Sequence, residues 1–402
     1  MGSNRLTISS RNILTFLVVA YALVFAPLVD AGLRNYMALI AASVGAAMIV
    51  LLNLRVGTQV FFAVALFGMM ATTPADVSLG NGILSVFLTA LYSAGYFAIV
   101  GVFARLADKK RFAENIMRKI IYAFAIVSVV QMLASLVGLP VPNVIASKGM
   151  WSYNSLAMEP SQLGRVVGIT LLAYLIVVRP DTRAESFREM FRKHRGVLLA
   201  SFVAMMLSGS ALAAIALPVA LVLAHSLRWA AAIAFVTLVA SPVILLIDYE
   251  PLRRSVNLLS SLGSLDIATL HEADASGAAR VIPLLLYFQK ASLLDLSFWF
   301  GYGNQGLIDF FQGRLPGQGD KISAGFLPGF AVVYGIIATG IFVWLFILRL
   351  MNKATIPLIV FWMAFISTSS WNTQLLWYAL ATIAIVFAVD REKLHARRTA
   401  TA

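Results

Sequence analysis

Cysteine is absent from all 402 residues, which excludes a disulfide, a thiol nucleophile, a thiolate metal site and an iron–sulfur cluster. Histidine is scarce: His194, His225, His271 and His395 are dispersed, and no acidic pair has metal-ligand spacing, so neither a metal nor a cofactor is expected. No Walker, Rossmann or Gly-x-Ser-x-Gly pattern stands out, and no internal repeat of the kind common in secondary transporters is visible. Charge is also thin, at 12% of residues, while 60% are hydrophobic and the mean hydropathy is +0.86. A single water-soluble core could not hide that much apolar surface, so the solvent for most of the chain is lipid.

What is present in quantity is apolar sequence in runs long enough to cross ~30 Å of hydrocarbon. Twelve runs fall at about 13–29, 35–52, 57–73, 82–104, 120–139, 163–178, 197–207, 211–226, 229–247, 326–348, 354–368 and 374–389. The seventh is the shortest. Arg5 and Arg11 precede the first run, and no small-x-small cleavage site follows it, so it reads as an uncleaved span. The expected fold is all-α: one polytopic membrane domain over residues 1–402.

The net charge of +13 would suggest nucleic acid in a soluble protein. In a membrane protein it is a statement of orientation. With both termini in the cytoplasm, the inner segments hold 22 basic and 7 acidic residues against 9 basic and 11 acidic outside, net +15 against −2. Basic clusters such as Arg105 to Arg111 are then retention signals and contacts to anionic lipid headgroups, and no nucleic-acid partner is expected.

Two external segments are long, 140–162 and 248–325, and long loops usually carry function or are disordered. The second contains Arg280 to Leu296, whose apolar residues recur at helical spacing, so an amphipathic helix is expected along the outer face or dipping into it. The spans are nearly free of charge, with Gln131 among the few strongly polar side chains at depth; ion-coupled carriers usually bury Asp, Glu or Lys there. The chemistry is therefore sought at the outer ends. Glu159-Pro160-Ser161 opens the sixth span, with Arg165 one turn further, at a helix N-terminus that favours an anion. Glu159 is either a working carboxylate, or merely offsets the helix dipole or pairs with Arg165 at the lipid headgroups. Arg254, Arg280 and Arg314 are external against the general trend, and guanidinium binds phosphate bidentately. Snorkelling to headgroups is the alternative for each, and Arg280 is the best placed of the three. His271, with Glu272 and Asp274, is the only histidine in the external loops and a possible base toward a hydroxyl, unless this is an ordinary solvated loop. Gly301-Tyr302-Gly303 could bring backbone close to a ligand while aromatic faces stack on sugar rings, or could be a turn.

In that order these features resemble the Wzy-type polysaccharide polymerases and the related O-antigen ligases of bacterial envelopes. The resemblance rests on Glu159-Pro160-Ser161 with Gly164, Ser208-Gly209-Ser210, Ser276 to Arg280 with the amphipathic stretch after it, Gly301-x-Gly303, and Gly325 to Gly335; it covers roughly residues 150–345. It implies a GT-C-like membrane enzyme of the inner membrane, with undecaprenyl-diphosphate-linked oligosaccharide as substrate and chain-length and export proteins as partners. It also implies that Glu159, Arg165 and Arg280 carry catalysis, and that Arg254, His271, Gly301, Tyr302, Gly303 and Arg314 help to bind substrate. Ligases would carry a His before the span starting near Phe326, where this chain reads Ile322-Ser323-Ala324-Gly325, which favours a polymerase. Arg314 to Gly325 fits the Arg-x10-Gly spacing described for O-antigen polymerases, with no counterpart in the first loop. A ligase remains the alternative within this chemistry, and a lipid-linked oligosaccharide flippase the alternative outside it.

Overall fold

The computed structural model describes residues 3–23, 36–51, 58–72, 79–141, 152–179, 187–224, 257, 260–261, 266–273, 275–311, 324–371 and 373–401, and among them every regular element is helical. In chain order the helices are α1 (Ser3–Ala22), α2 (Tyr36–Leu51), α3 (Thr58–Thr72), α4 (Leu79–Ala104), α5 (Lys109–Leu136), α6 (Pro160–Val178), α7 (Phe187–Leu207) and α8 (Ala211–Ala224), followed by α9 (Ile267–Ala273), α10 (Ala275–Lys290), α11 (Leu296–Phe300) and α12 (Gly303–Phe311). The last are α13 (Phe326–Phe346), α14 (Ile356–Phe361), which runs into a π-helical turn at Trp362–Ile366, and α15 (Gln374–Thr401).

Five of these are long and apolar enough to cross a membrane: Leu84–Ala104, Lys109–Leu136, Pro160–Val178, Phe326–Leu350 and Gln374–Ala396. Arg11–Ala22, Leu39–Leu51, Phe61–Ala71, Ala211–Ala224 and Ile356–Ile366 are apolar but shorter. The chain is thus a helical, membrane-embedded protein. Of the twelve expected spans, the one at 229–247 lies outside the described residues, as do Arg254, Asp274 and Arg314. The short seventh run is the apolar half of α7, whose helix bends at His194.

Helices in lipid gain little from the hydrophobic effect and associate through close packing, for which small residues are suited. A Cβ on Gly45 of α2 would stand 2.6 Å from the Gly95 Cα of α4, and one on Gly164 of α6 2.6 Å from the Ala213 Cβ of α8. The α13 and α15 helices and the π-helical turn share a buried aromatic core in which Phe326, Phe342, Phe346, Trp362 and Trp377 pack edge to face or tilted.

Two side-chain contacts put α6 and α15 parallel and in register. Arg165 near the start of α6 donates from Nη1 to Ser369 Oγ, just before α15. Lys393 near the end of α15 donates from Nζ to Val177 O, 3.4 Å. At that second end Lys109 pairs with Glu392 at 3.4 Å and Asn352 donates to Asp390 at 3.1 Å, so the charged groups of α5, α15 and the α13–α14 turn gather there.

The loop at 140–162, expected to lie outside, turns back into the protein over its described half. Ser152, Tyr153, Asn154, Ser155 and Ala157 are all buried. Ser155, at φ 52°, donates from Oγ to Phe124 O of α5 at 2.6 Å, and its own N–H donates to Gln131 Oε1 at 2.7 Å. Non-helical backbone at such depth is tolerated only where protein satisfies its polar groups, and Gln131 does so. The amphipathic helix expected at Arg280 to Leu296 is present but displaced toward the N-terminus. It ends at Lys290, because Asp295 Oδ1 accepts the N–H of Ser297 at 2.9 Å and caps a separate helix, α11.

Candidate functional site

The start of α6 builds the site. Glu159 is extended, Pro160 follows at the first helical position, and Ser161 donates its hydroxyl back to Glu159 Oε2 at 3.1 Å. Glu159 itself is exposed. One turn on, α6 sinks between neighbours because Gly164 lets α8 approach, and this carries Arg165 inside until only 6% of it is exposed. Its Nη1 donates to the Ser369 hydroxyl, and its Nε is buried with no hydrogen-bond partner among the described residues. The charge of Arg280 repels it and that of Glu159 attracts it, yet no described carboxylate stands within 4 Å of its guanidinium. Beside it on the same helix turn, Gln162 Oε1 is also buried and unpaired among the described residues. An ion removed from water without a counter-charge costs several kcal/mol. An arrangement that keeps such a cation within reach of a second arginine's charge, in the opening turns of a helix, is suited to an anion.

Arg280 reaches this place through α10. Ala278, Ile282, Leu286 and Tyr287 of α10 pack with Leu270 of α9 and Phe311 of α12 against Ala324, Ala331 and Val332 around the start of α13. The start of α13 is in turn held by the turn that supplies Ser369. Phe326 N–H donates to Ser367 O at 2.7 Å, and Gly325, at φ 72°, lies against the backbone of Thr368. That turn follows the π-helical segment, where Ser367 N–H returns to Trp362 O at 2.9 Å. Such π-turns often mark functional sites. Ser369 does not stand out in the sequence. Its signal is Ser367-Thr368-Ser369-Ser370, with Asn372, Thr373 and Gln374, a hydroxyl- and amide-rich break between two apolar runs.

Of the residues singled out in the sequence, Glu159 and Arg280 therefore lie close enough to Arg165 for their charges to act on it, and Arg254 and Arg314 lie outside the described residues. His271 is on α9, half-buried, with Nδ1 buried and unpartnered among the described residues. Gly301 faces protein: its φ is 98°, and a Cβ there would stand 2.2 Å from Val333 O. Reciprocally, α13 is kinked at Gly335, φ 84°, where a Cβ would stand 2.2 Å from Trp299 O. Tyr302 N–H adds a bond to Val332 O at 2.7 Å, so the Gly-x-Gly corner and the Tyr334-Gly335 pair are two halves of one contact. The Tyr302 hydroxyl donates to Asp295 Oδ2 at 2.7 Å, and burial together with that carboxylate pushes its pKa up to about 12. Gly303, also at positive φ, is buried at the head of α12. Among the described residues no three His, Asp or Glu side chains gather into a group that could hold a metal. Compared with protein-family models, with curated proteins and with solved structures, the chain has no match.

Proposed function

We propose that this protein polymerises undecaprenyl-diphosphate-linked oligosaccharide at the periplasmic face of a bacterial inner membrane. The observation that carries the reading is Arg165: a buried cation with no carboxylate within 4 Å among the described residues, and with Arg280 near enough to repel it. A diphosphate relieves that repulsion, and two guanidinium groups can grip it with several charge-assisted hydrogen bonds.

In the reaction a hydroxyl on the acceptor repeat unit attacks the anomeric carbon of the lipid-linked donor. The new glycosidic C–O bond forms as the bond from that carbon to the diphosphate breaks, and undecaprenyl diphosphate leaves with the negative charge. Arg165 and Arg280 stabilise that charge as it develops. Glu159, exposed at the mouth of the site, takes the hydroxyl proton, with His271 the second choice. The site end of the bundle faces the periplasm, both termini are cytoplasmic, and chain-length and export proteins are the partners.

The test is polymer length on a gel from cells whose only copy carries Arg280→Ala, with membrane levels checked by blot. Loss of long chains with single repeat units accumulating supports the reading. Unchanged polymer removes Arg280 from the mechanism, and disappearance of repeat units from the surface points instead to a flippase.

A further inference from the structure

The segment that joins α10 to α12 places its apolar and polar groups in the opposite of the usual order. Leu294 is 96% exposed, Leu296 75% and Leu293 67%, with Phe288 and Phe300 beside them also exposed. The polar groups of the same segment turn back onto it: Asp295 accepts from Ser297 N–H and the Tyr302 hydroxyl, Trp299 Nε1 donates to Leu293 O at 3.0 Å, and Lys290 Nζ donates to Phe310 O at 2.7 Å. In water such an arrangement exposes several large hydrophobic side chains to no benefit. In lipid it is the stable one, because unsatisfied polar groups are what lipid penalises.

Its depth is fixed by α13. The corner after α11 is bonded to Val332 and pressed against Gly335, inside a helix that is itself long and apolar enough to span. The far end of that helix is marked by Arg349 stacked over Trp344, an interfacial pairing. At 1.5 Å per residue, ~21 Å of helix separates Gly335 from Arg349, so in a hydrocarbon core of ~30 Å the attachment point lies several ångströms below the opposite boundary.

We infer that residues 291–300 form a finger inserted into the bilayer, with Leu293, Leu294, Leu296 and Phe300 in contact with lipid acyl chains. The α10–α12 unit is then a membrane-seated element that carries Arg280 at a fixed height, rather than a cap standing in water. This holds whatever reaction the site performs.

The natural absence of cysteine makes the test direct. Leu294→Cys and, separately, Leu296→Cys are labelled with an environment-sensitive fluorophore, and the full chain is reconstituted into phosphatidylcholine–phosphatidylglycerol vesicles. A nitroxide part-way down the acyl chain of a tracer lipid should quench the label strongly, and aqueous iodide should quench it weakly. Strong iodide quenching with little effect of the nitroxide overturns the inference. So does protection from both quenchers, which would mean that another protein surface, such as a second copy of the chain, covers the finger. Both positions are exposed, so the substitutions leave the packed residues in place.

Discussion

Arg165 and Gln131 are both polar side chains buried in the bundle, and they stand in opposite relations to their surroundings. Gln131 is satisfied: its amide oxygen accepts the Ser155 N–H at 2.7 Å and its nitrogen approaches Ser155 O at 3.4 Å. Replacement by Leu leaves a buried peptide group without partners, and Gln131→Leu is expected to lower stability by about 1–3 kcal/mol, read as a fall in the melting temperature of the detergent-solubilised protein. Arg165 is under-satisfied, with a buried Nε that has no partner among the described residues. Arg165→Met removes that charge while keeping length and apolar bulk, so the melting temperature should hold or rise, by an amount worth up to about 3 kcal/mol, while polymer production is lost. A large fall on Arg165→Met would instead make Arg165 a structural ion. The sequence displayed both residues as polar groups in apolar runs and could not separate them. What separates them is the re-entrant backbone of 152–158, whose depth depends on contacts with Phe124 and Leu207, far away in the chain.

Among the elements, the meeting of α11 and α13 is decided by two glycines in unrelated parts of the sequence. Gly301 and Gly335 each have positive φ, and each would place a Cβ in hard overlap with the other segment's backbone, at 2.2 Å from Val333 O and Trp299 O respectively. Gly301→Ala and Gly335→Ala are each expected to cost at least the strain of an L-residue at positive φ, about 1–3 kcal/mol. Thermal unfolding should also show that the double variant costs less than the two single changes together, since either one already parts the same contact. Additive effects would mean that the two glycines serve separate contacts. The runs that are helices are legible in the length of the apolar stretches, and the amphipathic helix containing Arg280 in its helical spacing. The end of that helix at Lys290 was not read, because it is set by Asp295 capping the next one. The kink at Gly335 was not legible at all, because its cause sits more than thirty residues upstream, in α11. Ser369 was missed for a related reason: a serine in a polar turn has no distinguishing local pattern until the fold brings α6 against it.

At the scale of the whole molecule the two ends of the bundle differ in kind. Among the described residues, one end carries the Lys109–Glu392 pair, Asp390, Arg349, Arg391 and Lys393; the other carries Glu159, Arg165 and Arg280 together with Asp266, Glu272, Lys290, Asp295 and Asp309 of the segment packed at the start of α13, so that basic residues do not outnumber acidic ones there. Dense basic charge on short segments beside spans is retained on the cytoplasmic side, which would leave Arg165 and Arg280 facing the periplasm, the side that the proposed polymerisation requires. The arrangement of helices alone is indifferent to this, since the same bundle works in either direction; the bias comes from charge, and reporter fusions read it. A fluorescent protein fused after Ala402 should fold and fluoresce, and alkaline phosphatase inserted within 312–323 should be active. The reverse pattern would put the arginine pair in the cytoplasm, where the diphosphate available to it would be a nucleotide sugar or a lipid precursor before its transfer across the membrane, and the polymerase reading would fall even if every contact of Arg165 stood as described.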